Sequence, residues 1–576
     1  MKKMKTITRV IASFWTFALL LSGQGIAAPA SDIADAVMNR NKDAVWSLLQ
    51  KKVNVNAPQL DGTTALHWAV RADDLEIADL LIRAGANVAA VNREGVIPME
   101  LAALNGSAAM IEKLIKAGAD PNAPLSKFGD TALMLAARTG KTEAIGVLLD
   151  NRAQVNAIET WGGTTALMWA VSERHLDAVK LLIARGADVN ARSYFVPDAH
   201  GRGFEGASPE PPKPNQTPQE LAGGWLTPLM FAAREGDLEI ARTLVAAGAG
   251  LNVVAGDGKD ALGLAIFNGQ YELASFLIDN NVDVNHADAQ RFTPLFWAVD
   301  RRNMELGTNG FPWTVTTDPL PLIKKLLDAG ANPNAIVNNT PRGRNRNASP
   351  RIVFATALHR AAFAGDLELA KLLLAHAADP HAASSDRESM LEAATGLALI
   401  PGYQVSRPES ERLELCKLLV QLGEDVNWAD AYGITPLMAA ANLGFTKIVQ
   451  YLVDAGADLG AYDLGKRLDG AFMASVEPLM PVDYAIGVGT FLPNNSVEYH
   501  QETAELMLRL MKEKGIKHTT SECTLRGFTC SIANVDPKTA TPAEIVKIRR
   551  LATGNQLNAV TGGLEVKDKE QDKEKK

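Results

Sequence analysis

The side chains best suited to metal or nucleophilic chemistry are nine histidines and three cysteines, and neither set is arranged for it. Only His376 and His381 lie close together in sequence. Cys523 and Cys530 are seven residues apart, with no Cys-x-x-Cys-His for haem and no second pair to complete a zinc site. The patterns G-x-S-x-G, H-E-x-x-H, G-x-x-x-x-G-K-[ST] and an EF-hand loop are absent. Gly201-Arg202-Gly203-Phe204-Glu205-Gly206 fits G-x-G-x-x-G, but no strand precedes it and no helix follows directly, so it reads as chance. An enzyme would have to build its site from inserted loops, and Asp198, His200 and Glu205 are the residues it would use. The sequence therefore predicts no catalytic residue, no metal site and no cofactor.

Charge offers a second kind of chemistry. The 576 residues carry a formal net charge of −8, so no global basic character exists to hold a phosphate backbone, and a nucleic-acid partner is not expected. Against that background Arg342, Arg344, Arg346 and Arg351 stand together with no acid among them. They read either as a solvated loop or as a clamp for an acidic partner surface or anionic glycan. Phe311-Pro312-Trp313 reads either as a binding anchor on a loop tip or as a tucked edge.

The elements that must position these groups follow from composition and period. Apolar residues make up 47% of the chain and aromatics only 6%, which points to many small, closely packed helices. Gly-Ala-Asp/Asn triplets recur after leucine-rich stretches, at Gly85, Gly118, Gly186, Gly330 and Gly456. Weaker copies start at Lys52, Asn151, Gly248, Asn281, Ala377 and Gly423. Steps of 33 residues link Lys52, Gly85, Gly118 and Asn151, and the longer steps are 33 plus an insertion. A second marker precedes each triplet: Thr64-Ala-Leu-His67, Thr131-Ala-Leu-Met134, Thr165-Ala-Leu-Met168, Thr227-Pro-Leu-Met230, Thr293-Pro-Leu-Phe296, Thr356-Ala-Leu-His359 and Thr435-Pro-Leu-Met438. Threonine suits a helix N-cap and proline the first helical position. A short helix, a tight turn (Gly140, Gly236, Gly269, Gly365, Gly444) and a second amphipathic helix follow. Cys416 lies in such a second-helix pattern and reads as a buried thiol.

This pattern resembles the ankyrin repeat, whose signature is Thr-Pro-Leu-His-x-Ala and whose period is 33. The resemblance covers roughly residues 31–520 and implies an all-α solenoid of helix pairs with short β-hairpin fingers. It divides the chain into an N-terminal capping repeat (31–60), ten repeats (61–464) and a degenerate last repeat (465–520). Insertions fall at about 193–225, 302–319, 338–353 and 401–410. It makes His67 and His359 hydrogen-bonded scaffold residues, and it packs Trp68, Trp169 and Trp297 between repeats. It also implies a protein partner, met by the fingers and the exposed positions of the first helices. Those positions carry over to Arg93, Glu94, Lys127, Phe128, Arg138, Trp161, Glu173, Arg234, Glu235, Gln290, Arg301 and Tyr432. A monomer is expected.

The ends read differently. Lys2, Lys3, Lys5 and Arg9, the apolar run Ile11–Leu21 and Ala28-Pro29-Ala30 have the three-part layout of a secretory signal peptide. Its loss takes the net charge from −8 to −12, because those four cations go and no acid lies among the first thirty residues. The chain is thus expected to be periplasmic or secreted, without stable membrane insertion after cleavage, and resembles exported bacterial ankyrin-repeat proteins. A local Cys523–Cys530 disulfide is expected in that setting. Thr541-Pro-Ala-Glu544 is a capping box opening a short helix within the extension 521–563, and the charged tail 564–576 is expected to be disordered. Two further readings remain open at this level: a secreted effector acting on a target-cell protein, and the loop-built enzyme.

Overall fold

A computed structural model describes residues 32–194, 224–303, 317–337, 355–384, 387–396, 407–464, 478–486 and 500–518. The signal segment, Arg342, Arg344, Arg346, Phe311–Trp313, Cys523, Cys530 and the tail lie outside the described residues. The chain forms two compact units, residues 1–157 and 158–576.

The first unit contains four helix pairs: Asp32–Met38 with Lys42–Gln50, Ala65–Arg71 with Leu75–Arg83, Pro98–Asn105 with Ala108–Lys116, and Ala132–Thr139 with Thr142–Asp150. In the second unit the pairs are Ala166–Ser172 with Leu176–Ala184, Pro228–Glu235 with Leu238–Ala246, Ala261–Phe267 with Tyr271–Asp279, and Pro294–Arg302 with Leu320–Asp328. They continue with Ala357–Ala364 and Leu367–Ala375, Met390–Thr395 and Glu409–Gln421, Pro436–Asn442 and Thr446–Asp454, and Pro481–Ile486 and Gln501–Glu513. Within each unit, first helices pack on neighbouring first helices and second helices on second helices, so two helical layers enclose one core.

Local chemistry explains each pair. The signature threonine accepts from the backbone two or three residues into its helix, as Thr131 Oγ1 does from Met134 N (3.3 Å) and Thr293 Oγ1 from Phe296 N (3.2 Å). Second helices are capped the same way by Asp74, Ser107, Asp237 and Asp366, each cap worth about 1 kcal/mol. Gly140 stops its helix with φ +70°. The tightest packing falls two residues after the signature histidine position. Ala69, Ala102, Ala136, Ala170, Ala232, Ala265, Ala298, Ala361, Ala394, Ala440 and Ala485 occupy it, and all are 0% exposed. A methyl group there lets adjacent first helices approach closely, which accounts for an alanine-rich composition.

The fingers differ from the expected β-hairpins: no strand exists among the described residues. Each finger is a closed turn, as where Gln59 N donates to Thr63 O and Gly62 N to Gln59 O (both 2.9 Å). A single bond then reaches the next finger, from Arg93 N to Asp61 O (2.8 Å) or from Ala289 N to Asp257 O (3.2 Å). One bond per neighbour is too few to make a ladder. The approach is nonetheless close. Gly258 has φ +80°, and a Cβ on it would stand 2.5 Å from Ala289 N.

Asparagine side chains supply the remaining ties. Asn122 donates to Arg152 O (3.1 Å) and accepts from Gln154 N (2.8 Å), clamping the turn of the following repeat. Asn56, Asn190, Asn285, Asn334 and Asn427 repeat the pattern. The insertions leave this register intact because their feet are bonded directly. Ser193 N donates to Leu226 O (2.9 Å) and Val337 N to Ala355 O (3.1 Å); in the last helix pair His500 N likewise donates to Ala485 O (2.9 Å).

Candidate partner-binding surface

In the first unit the fingers present Arg93, Glu94 and Lys127 to solvent. Arg93 and Glu94 sit on the turn closed by Asn92, whose Oδ1 accepts from Glu94 N (3.0 Å). Lys127 lies over the half-buried Phe128 ring at 4.9 Å. Arg138 is exposed on the last turn of its first helix. Two fingers and one helix thus carry five of the expected side chains, none of which the core consumes.

In the second unit Trp161 is 55% exposed at a finger tip. The rigid part of that finger is the Glu159 carboxylate, 3% exposed, which accepts from Trp161 N, Gly162 N (3.0 Å), Thr164 N (2.8 Å) and Thr164 Oγ1 (2.7 Å). The next finger stacks on it, with Tyr194 N donating to Gly162 O (2.7 Å) and its hydroxyl to Glu159 O (3.1 Å). Beyond this, Arg192 lies over the Trp225 ring at 5.2 Å, and burial lowers its pKa. Trp161 and the group Arg192, Tyr194 and Trp225 therefore lie on two successive fingers. Glu173 is exposed at the end of its helix. Arg234 and Glu235 pair with each other at 3.0 Å, and Arg234 also covers Phe231. Gln290 and Tyr432 are half-buried finger residues whose backbone N–H groups donate to Asp288 and Asp430.

Arg301 departs from expectation. It is 6% exposed, with its guanidinium 5.3 Å from the Phe267 ring centre, and it is not a solvent-facing contact residue. It belongs to a region that sequence reasoning missed. Arg360 and Asp300, 0% and 1% exposed, pair at 2.8 Å, and Arg360 also donates to Asn303 O (2.7 Å). Asp366 caps its helix while binding Arg302 (2.7 Å) and Arg407 (3.3 Å), and Arg302 further reaches Glu368 and Asp318. Arg412, fully buried, donates to the carbonyls of Ala394 (2.9 Å) and Phe363 (2.7 Å), the electronegative ends of two first helices. Burial pushes its pKa down to about 10. The available signal was Arg360 itself. It stands where the preceding repeats carry Trp68, Leu101, Leu135, Trp169, Phe231, Leu264 and Trp297.

The scaffold side chains take the expected places. His67 Nδ1 bonds the Thr64 hydroxyl (2.8 Å) and its Nε2 bonds Val96 O (3.0 Å). His359 is fully buried, and desolvation pushes its pKa down to about 4. Trp297 is 4% exposed, and its indole N–H donates to Asp288 (3.2 Å), whereas Trp68 and Trp169 are only half-buried. Burial pushes the Cys416 thiol up to about 12, so it is not a reactive thiolate. Among the described residues, no helix is long and apolar enough to cross a membrane.

Stacked helix pairs with closed finger turns define a repeat scaffold, and sequence comparison specifies its kind. The family description "Ankyrin repeats (3 copies)" matches residues 33–125, 99–193, 229–306 and 409–463, and "Ankyrin repeat" matches 355–385. The chain belongs to the ankyrin-repeat family, with an all-α solenoid fold, and ankyrin repeats are protein–protein interaction domains. Among its relatives, the ankyrin repeat protein YahD of Escherichia coli K12 is 26% identical over 228 residues, covering 40% of this chain and 95% of that one. Notch-regulated ankyrin repeat-containing protein A of Danio rerio is 36% identical over 93 residues, or 16% of this chain and 83% of that one. The chain spans only 9% of palmitoyltransferase AKR1 of Candida albicans, at 36% identity. The human ASB11 ankyrin repeat domain aligns at 27% identity with a TM-score of 0.33, covering 41% of this chain and 91% of that one.

Proposed function

We propose that this protein is an exported scaffold that binds a partner protein through its finger turns and exposed first-helix positions, in a chaperone-like or assembly role in the periplasm. One observation carries the reading. Arg93, Glu94, Lys127, Arg138, Trp161 and Glu173 stand solvent-exposed on a backbone held by closed turns and asparagine clamps. A rigid backbone presents such side chains at little ordering cost, and Trp, Tyr and Arg at finger tips are the residue types that dominate binding energy. Export rests on the charged, apolar and small-residue order of the first thirty residues.

Fractionation and capture test the two parts separately. The full chain expressed in its source should appear shortened at its N-terminus in the exported fraction. There it should retain a partner that Trp161→Ala and Arg93→Ala/Glu94→Ala release without changing thermal unfolding. Retention of the full-length chain in the cytosol would overturn export, and capture indifferent to these substitutions would overturn the surface.

A further inference from the structure

Two repeats carry an imidazole link at the helix start, and one repeat replaces both of its members. In the repeats of His67 and His359, a threonine hydroxyl meets imidazole Nδ1 at 2.8 and 3.0 Å. His67 then carries the link on to a carbonyl of the next finger. At the helix Ala261–Phe267, Asp260 replaces the threonine and Gly263 the histidine. Asp260 is 1% exposed. Its Oδ1 accepts from Gly263 N at 2.7 Å, while its buried Oδ2 has no hydrogen-bond partner. An ionised carboxylate so placed is desolvated, and one oxygen has nothing to offset that cost.

We propose that Asp260 is a proton-operated latch: its carboxyl binds a proton when the surroundings acidify, and the repeat 261–279 then tightens. The charged groups around it do not remove the penalty. His286 and Asp283 of the following finger act in opposite directions on its charge. His286 Nε2 is bonded to Gly258 O (2.8 Å), and the ammonium of neighbouring Lys259 is held by Asp257 (2.8 Å) and Asp288 (3.6 Å). The flanking helices bring Thr227, Met230, Thr293 and Phe296 to the equivalent register positions, and none of these titrates in the range concerned.

Burial raises the carboxyl pKa from 3.8 to about 6 in the folded protein. A raised folded value means that the stabilisation is fully present below the unfolded value and is lost as pH rises through the folded one. The window thus runs from about pH 4 to pH 6–7. Between pH 7.5 and pH 5 the local opening constant should fall about tenfold.

Hydrogen exchange of the full chain, read on peptides covering 261–279 and corrected for intrinsic exchange rates, tests this. The expected result is about tenfold more protection at pH 5 than at pH 7.5, absent in Asp260→Asn and retained in His286→Gln. The double variant Asp260→Thr/Gly263→His restores the ordinary pair and should also lose the acid-induced gain, which covers the case where Asp260→Asn folds poorly. Unchanged protection in the native protein, or an equal gain in both Asp260 variants, would overturn the proposal.

Discussion

The position four residues after the signature histidine is occupied by Arg71, Leu104 and Arg138 in the first unit, all exposed, and by Asp300 and Phe363 in the second, both buried. The helical register is the same in both places. In the first case the side chain faces solvent and is accessible for recognition. In the second it is part of the core, Phe363 as an apolar side chain and Asp300 as half of an internal charge pair. A repeat position therefore does not fix its role. Burial does, and family-based assignment of contact residues holds only where the position stays exposed.

The largest expected effect comes from breaking the buried side of this contrast. Arg360→Met takes away the guanidinium that Asp300 pairs with in the core and should destabilise the second unit by about 3–5 kcal/mol in denaturant unfolding. Asp300→Leu/Arg360→Met removes both charges and should recover most of that loss. If the double variant is as unstable as the single one, the pair is not the cause. On the exposed side, Trp161→Ala should weaken partner binding by about 2 kcal/mol, read as a dissociation constant, and shift unfolding by less than about 0.5 kcal/mol.

A smaller effect separates the clamps from both classes. Asn122→Ala unties Arg152 O and Gln154 N, and should cost about 1 kcal/mol in the first unit. Smallest of all, Arg138→Ala should leave stability within about 0.5 kcal/mol while lowering partner capture. The signature histidine sharpens the contrast with Asp260. With its folded pKa pushed down to about 4, His359 contributes stability above the unfolded value near 6.5 that is lost as pH falls through the folded one. Protection in 357–375, corrected for intrinsic exchange rates, should therefore fall about thirtyfold between pH 7.5 and pH 5, opposite in sign to 261–279.

Much of the fold was legible because its causes are local. Thr131, Thr165 and Thr293 announce helix starts, and the recurrent alanine two residues past the histidine position marks the helix–helix contact. The finger strands were not foreseen correctly because a ladder depends on consecutive bonds between neighbours, and among the described residues each finger supplies at most one to the next. For the candidate surface, the exposure of Arg93, Lys127 and Trp161 agrees with the positions carried over from the ankyrin resemblance. The burial of Arg301 was not legible, since exposure depends on what packs from distant parts of the chain. Nor was the Arg360–Asp300 pair, which joins helices of successive repeats across an insertion.

We propose one division at the centre: exposed finger residues serve binding, and buried charges hold the fold. Its most direct measurement is quantitative partner capture by the native chain, by Trp161→Ala and by Asp300→Leu/Arg360→Met, each below its unfolding transition. Capture should be lost in the first variant at unchanged stability and retained in the second. Capture retained by Trp161→Ala, or abolished by a folded Asp300→Leu/Arg360→Met, would contradict it.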